Sequence, residues 1–180
     1  KNDLPSGIII KVNSMVDPDL ISLLYDASRA GVKITLIVRG ICCLIPGIEG
    51  VSENITVISI VGQLLEHSRI FKFENGGEPV VYIGSADWMQ RNLDKRVELV
   101  FPVEDEDLKK RVFGMLDIMM NDTINARVQK SDMTYVMIDK RGKQPLNSQL
   151  EFYRLAKEAL EEVKNDRQQP MFVPKESENN

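Results

Sequence analysis

Residues 7–38 read as a strand, a helix and a strand in immediate succession, and few arrangements accommodate that order. "GIIIKV" is a short apolar run rich in β-branched residues, as expected of a strand buried on both faces. "DPDLISLLYDASRAG" follows, with Asp17 placed to cap a helix and Pro18 at its first position. Leu20, Ile21, Leu24 and Ala27 recur at helical spacing, and Gly31 comes just past the end. "KITLIV" is a second buried strand. A crossover this short between two strands of one sheet makes them parallel and the connection right-handed, so the fold class is α/β with a sheet at least partly parallel. Open α/β sheets bind ligands where such strands end, and Arg39-Gly40 falls directly on that edge.

Beyond it, "PGIEGVSEN" reads as a loop and "ITVISIV" as a strand, while "SIVGQLLEH" fits a short helix as well as a strand end. "RIFKF" and "VVYIGS" are strands separated by "ENGGEP", whose Gly76-Gly77 pair signals a hairpin. A hairpin returns the chain to its starting edge, so His67 at the entry is expected near Ser85 and Asp87 at the exit. "KRVELVFPV" reads as one more strand. "EDEDLKKRVFGMLDIMMND" is an amphipathic helix, with Leu108, Val112, Met115, Leu116 and Met119 on one face and acids in its first turn. "TYVMI" fits an edge strand, "DKRGKQPLN" a basic loop and "SQLEFYRLAKEALEEVK" a last amphipathic helix. One domain over residues 1–164 is expected, with 165–180 a disordered polar tail. Lys1 opens the chain and Met15 is its first methionine, from which an excerpt of a longer polypeptide is expected.

A formal charge of -4 argues against bulk binding to nucleic acid, so any anion site must be local. Adjacent Cys42 and Cys43 lack the spacing of a relaxed disulfide or a zinc site and read as buried thiols in a reducing compartment. No segment has the roughly 20 uninterrupted apolar residues of a membrane span. A cytoplasmic protein is expected.

His67 is the single histidine. Arg69 stands two residues on, and in an extended segment the two side chains share a face. Imidazole can attack phosphorus or pass a proton to a leaving phosphate near neutral pH, and a guanidinium fork grips phosphate oxygens. Arg39 followed by Gly40 makes a phosphate clamp at the ligand edge. "GSADWMQRNLDKR" adds Ser85, Asp87, Arg91, Asn92 and Arg96, of which Asp87 could orient a basic group; a strand end and one polar helical turn account for Arg91 and Asn92 equally well. Trp88 reads as packing. Neither GxxxxGK[ST] nor GxGxxG occurs, so nucleotide phosphates would have to be held by another route.

At "HSRIFKFENGGEPVVYIGSAD" the chain resembles the phospholipase D superfamily, with His67, Glu74 and Gly84-Ser85 in the roles of its histidine, acid and GS pair. Arg69 stands where that pattern has lysine, and Glu74 where it has aspartate. From Ile8 to Lys164, above all in "LIVRGICCLIPG" and "LEHSRIFKFENGG", it resembles the last catalytic domain of the bacterial polyphosphate kinases of phospholipase D-like type. That resemblance implies a phospholipase D-like mixed sheet flanked by helices. It also implies reversible transfer of the terminal phosphoryl group of ATP to inorganic polyphosphate, through a phosphohistidine in a preceding catalytic domain of the same chain. His67 would contact the nucleotide phosphates as acid or base, and Arg39 would bind nucleotide. Arg69, Asp87, Arg91 and Arg96 complete the expected ATP and phosphate site. Magnesium would accompany ATP without a protein ligand here, and a homo-oligomer is expected. A phospholipase D-type phosphodiesterase or nuclease half-site and a non-catalytic interaction module stand as the alternatives.

Overall fold

The computed structural model describes residues 4–166. β1 (Gly7–Val12), β2 (Lys33–Val38) and β3 (Ile55–Ile60) run parallel, with Val12 paired to Val38 and Ile37 to Ile58. α1 (Pro18–Arg29) makes the first crossover, its start fixed by the Asp17 carboxylate accepting from the Leu20 amide. β4 (Ile70–Phe73) returns antiparallel beside β1, and β5 (Val80–Gly84) pairs with β4 through a hairpin. A short 3₁₀ turn at Asn75–Gly77 closes that hairpin, with Gly76 and Gly77 both at positive φ. β6 (Val100–Pro102) adds to β5, and β7 (Ala126–Gln129) and β8 (Tyr135–Met137) add beyond β3. The result is an eight-stranded mixed sheet in the order β6-β5-β4-β1-β2-β3-β7-β8.

Alternation along each strand divides the core between two faces. Ile10, Val12, Leu36, Val38, Val57 and Phe71 pack with Leu24 and Ile21 of α1. On the other face Ile37, Ile58, Ile70 and Val81 pack with Leu116 and Met119 of α3 (Glu106–Met120). Full burial of each such side chain contributes about 1.5–3 kcal/mol. α4 (Ser148–Asp166) is tied to the start of β7 by Asp122, whose carboxylate accepts from the amides of Asn125 and Ser148 at 2.7 and 2.8 Å and from the Ser148 hydroxyl.

"SIVGQLLEH", open between a short helix and a strand end, resolves as the end of β3 at Ile60 followed by an irregular crossing to β4. Several expectations need correction. The strand expected over "KRVELVFPV" shrinks to three residues: α2 (Gln90–Lys95) takes up its start, and Val97 is fully exposed. Leu108 lies on the expected apolar face of α3 yet is 53% exposed. β7 was not foreseen. Cys42 is buried, but Cys43 is exposed. α4 runs to Asp166, past Lys164, and the expected disordered tail from 167 onward lies outside the described residues. Among those residues, no helix is long and apolar enough to cross a membrane.

Candidate active site at the carboxyl edge of the sheet

Register alone brings the candidate residues to one edge. Lys11 pairs with Ile37 on one side and Ile70 on the other, and Ile70 pairs with Ile83. Arg39 therefore leaves β2, His67-Ser68-Arg69 enter β4, and Ser85-Ala86-Asp87 leave β5, all past the carboxyl ends of β1 and β2. This edge is where the parallel strands' topology places ligands.

Asp87 is the hub. It accepts from the amides of Asn13 (2.7 Å) and Ser14 (3.1 Å) and from the guanidinium of Arg69, at 3.2 Å from Nε and 2.6 Å from Nη2. Burial pushes the Asp87 carboxyl up, but Arg69 and the two amides outweigh it and hold the group below its ordinary range. Arg69 spends its remaining nitrogen on the backbone carbonyl of His67, 2.6 Å away. Arg39 donates through Nε, at 2.9 Å, and Nη2, at 2.5 Å, to the Asn13 side-chain oxygen. A continuous hydrogen-bonded path thus runs from Arg39 through Asn13, Asp87 and Arg69 to the backbone of His67. The His67 side chain and Gly40 are exposed, and Arg39 is half-buried.

The phosphate clamp expected of Arg69 is redirected, because both faces of its fork are committed to Asp87 and His67 and the side chain is 6% exposed. Gly40 is required by a close approach of backbone: a Cβ there would meet the Asn13 carbonyl oxygen at 2.8 Å, and the Gly40 amide donates to that same oxygen. Gly84 has a similar reason, since a Cβ would stand 2.5 Å from the Leu99 carbonyl oxygen. Ser85 donates to Glu98 and accepts from the Leu99 amide, so its hydroxyl is occupied, and Asn92 also donates to Glu98 at 2.7 Å. Glu74 is not in the site. β4 runs antiparallel to β1 and delivers Glu74 to the opposite edge, where its amide bonds the Gly7 carbonyl and its carboxylate pairs with Lys72. Arg91 and Arg96 are exposed near α2, and the Arg96 charge acts on Glu98. Trp88 stacks on Phe71 with ring centroids 5.7 Å apart.

Sequence reasoning missed Asn13 and Lys11. Lys11 is 3% exposed within β1; its ammonium lies 2.5 Å from Glu66 and donates to the Ser68 carbonyl. Its signal was present: a lone lysine inside a strand buried on both faces must have a partner. Among the described residues no group of three or more metal-binding side chains occurs.

The chain matches the model of the family described as polyphosphate kinase C-terminal domain 2 over residues 1–149. Polyphosphate kinase from Synechocystis is 54% identical over 159 residues, covering 88% of this chain and 22% of the relative. The Lactiplantibacillus plantarum protein of the same name is 51% identical over 156 residues, covering 87% and 22%. The crystal structure of polyphosphate kinase from Porphyromonas gingivalis superposes with a TM-score of 0.83 at 41% identity, covering 88% of this chain and 24% of that one. Nuc from Salmonella typhimurium, a phospholipase D family member, matches with a TM-score of 0.54 at 16% identity over 72% of this chain and 86% of its own, and shares the fold. The chain spans about a fifth of the length of the curated relatives it matches. With its mixed sheet and the edge built around Asp87, the chain belongs to the polyphosphate kinase family, as the second C-terminal domain.

Proposed function

We propose that this domain supplies the nucleotide-facing half of a polyphosphate kinase active site, transferring the terminal phosphoryl group of ATP reversibly to inorganic polyphosphate. One observation carries the reading: Arg39 and the His67 loop project past the same sheet edge and are fixed to each other through Asn13, Asp87 and Arg69. Phosphoryl transfer needs little beyond alignment and neutralisation of charge on the equatorial oxygens. Arg39 suits that task because one side-chain oxygen holds two of its nitrogens and leaves Nη1 to a phosphate. Arg91 and Arg96, exposed beside the same edge, would add positive charge for a polyanion. His67, exposed and anchored through its backbone, would give or take the proton at the phosphate in flight. Its counterpart, the histidine that carries the phosphoryl group, belongs in this reading to a preceding domain of the full-length protein.

Magnesium would arrive with the nucleotide. The carboxylates nearest the site do not suit a resident ion, since Asp87 is paired with Arg69, Glu66 with Lys11, and Glu98 accepts from Ser85 and Asn92. Free thiols and a nucleoside triphosphate substrate fit a cytoplasmic setting.

In the full-length enzyme, His67→Ala is expected to lower kcat by about 10²–10⁴, the range of a lost acid–base group. Arg39→Ala is expected to lower kcat/KM for ATP by about 100-fold. Radiolabelled ATP should leave phosphate on the full-length enzyme and none on this domain alone. Normal turnover in both variants, or labelling of the isolated domain at His67, would refute the reading.

A further inference from the structure

The His67 loop has no regular structure of its own, so its geometry must come from what holds it. Gln149 of α4 grips Leu64, accepting from its amide at 2.8 Å and donating to its carbonyl at 2.6 Å. Arg69 holds the His67 carbonyl. The third restraint is Lys11. Its ammonium donates to the Ser68 carbonyl at 3.2 Å and lies 2.5 Å from Glu66 Oε2, while Glu66 Oε1 accepts from the Ser68 amide and hydroxyl at 3.0 and 2.5 Å. The residues immediately before and after His67 are therefore closed into a ring around one buried cation.

We propose that Lys11 and Glu66 are positioning residues for His67, a clamp from the central strand that sets where the imidazole stands. The assignment rests on the reading of His67 given above. Lys11 does not act on phosphate itself, because its ammonium is committed to Glu66 and Ser68 and the side chain is 3% exposed. Nor is it there chiefly for stability. Burial lowers its pKa, the Glu66 bond opposes that, and the charges of Arg69 and Arg39 add to it, so holding an ammonium here is costly. An apolar side chain of similar volume would fill the same space on β1 more cheaply. What the lysine adds is a fixed register between the sheet and the loop. The Glu66 carboxyl, pushed up by burial but drawn down further by Lys11 and Ser68, is held ionised to complete the pair.

The test uses full-length enzyme carrying Lys11→Met, Glu66→Gln, His67→Ala and the Lys11→Met/His67→Ala double, each checked for folding by its thermal transition. A displacement near 1 Å at a reacting group costs up to about 100-fold. Lys11→Met and Glu66→Gln should therefore lower kcat by about 10- to 100-fold while KM for ATP moves less than about threefold. In the His67→Ala background, Lys11→Met should lower kcat by less than about twofold, because the group it positions is already gone. Should Lys11→Met fail to fold, Glu66→Gln decides alone, since it keeps the volume and an acceptor for Ser68. Unchanged kcat in folded Glu66→Gln overturns the clamp, as does an equal Lys11→Met effect with and without His67. If His67→Ala itself turns over normally, the functional reading fails and the clamp falls with it; an impaired His67→Ala beside an unimpaired Glu66→Gln removes the clamp alone.

Discussion

Replacing Asp87 by asparagine should unsettle this site more than any other isosteric change. The carboxylate accepts four hydrogen bonds, two from backbone amides and two from the Arg69 guanidinium, with the paired side chains 6% and 8% exposed. Asparagine keeps an oxygen for Asn13 and Ser14 but turns an NH₂ toward another donor and leaves Arg69 charged and unpaired. Removing one partner of a buried ion pair costs about 3–5 kcal/mol. The pair lies at the sheet edge, where water can partly reach it, so the low end, about 3 kcal/mol, is expected. With an m-value near 2 kcal/mol/M, that lowers the urea midpoint by about 1.5 M. Trp88, the single tryptophan, follows Asp87 in the chain and stacks on Phe71, so its fluorescence reports unfolding from beside the perturbation. Adding Arg69→Met should recover part of the loss, with the double variant at least about 2 kcal/mol more stable than the summed singles predict. A loss under about 1 kcal/mol for Asp87→Asn, or strict additivity in the double, would refute the hub.

Acid should destabilise the fold through the same carboxylates. Asp87, Glu66 and Asp122 are pushed up by burial yet held below their ordinary ranges by stronger opposing partners, for Asp122 the Ser148 hydroxyl and the amides of Asn125, Ser148 and Ile124. The unfolded chain then binds protons more readily, so the urea midpoint should be level above about pH 5 and fall as pH drops through about 4 and below; Asp122→Asn should shallow that fall, and a midpoint rising on acidification would contradict it. Gly84→Ala should cost about 1–3 kcal/mol by forcing β6 away from β5, read as a lower urea midpoint, and a neutral effect would show that β6 gives way freely. A thiol reagent should titrate exposed Cys43 quickly and reach Cys42 only on denaturation, because burial pushes the Cys42 thiol up to about 11. Two fast equivalents in the native protein would count against the packing at Met15 and Leu44.

The parallel half of the sheet was legible because its strands are buried on both faces and spell unbroken apolar runs, and because Asp17, Pro18 and Gly31 punctuate the helix between them. β7 was not, since "ARVQ" is short and mixed and becomes a strand by pairing with β3 at the sheet's far side. "KRVELV" alternates like a strand but has no partner until Val100 meets Gly84. At the site, the residues facing the edge could be named from sequence, and so could Asp87 as the orienter of a basic group, while Asn13 beside Arg39 and the Lys11–Glu66 pair could not. The extended spacing of His67 and Arg69 suggested a free guanidinium beside the imidazole, but the chain enters β4 only at Ile70, and Asp87, eighteen residues on, takes up the guanidinium. Lys11 shows the converse: its burial was implied by "GIIIKV", but its partner Glu66 lies in a loop that no periodicity describes.

Crystals of the full-length enzyme grown with a non-hydrolysable ATP analogue test the convergence most directly. The triphosphate density should lie within about 3 Å of both the Arg39 guanidinium and the His67 ring, the reach of a charge-assisted hydrogen bond. A nucleotide ordered elsewhere, or touching one of the two while the other points to solvent, would contradict the account.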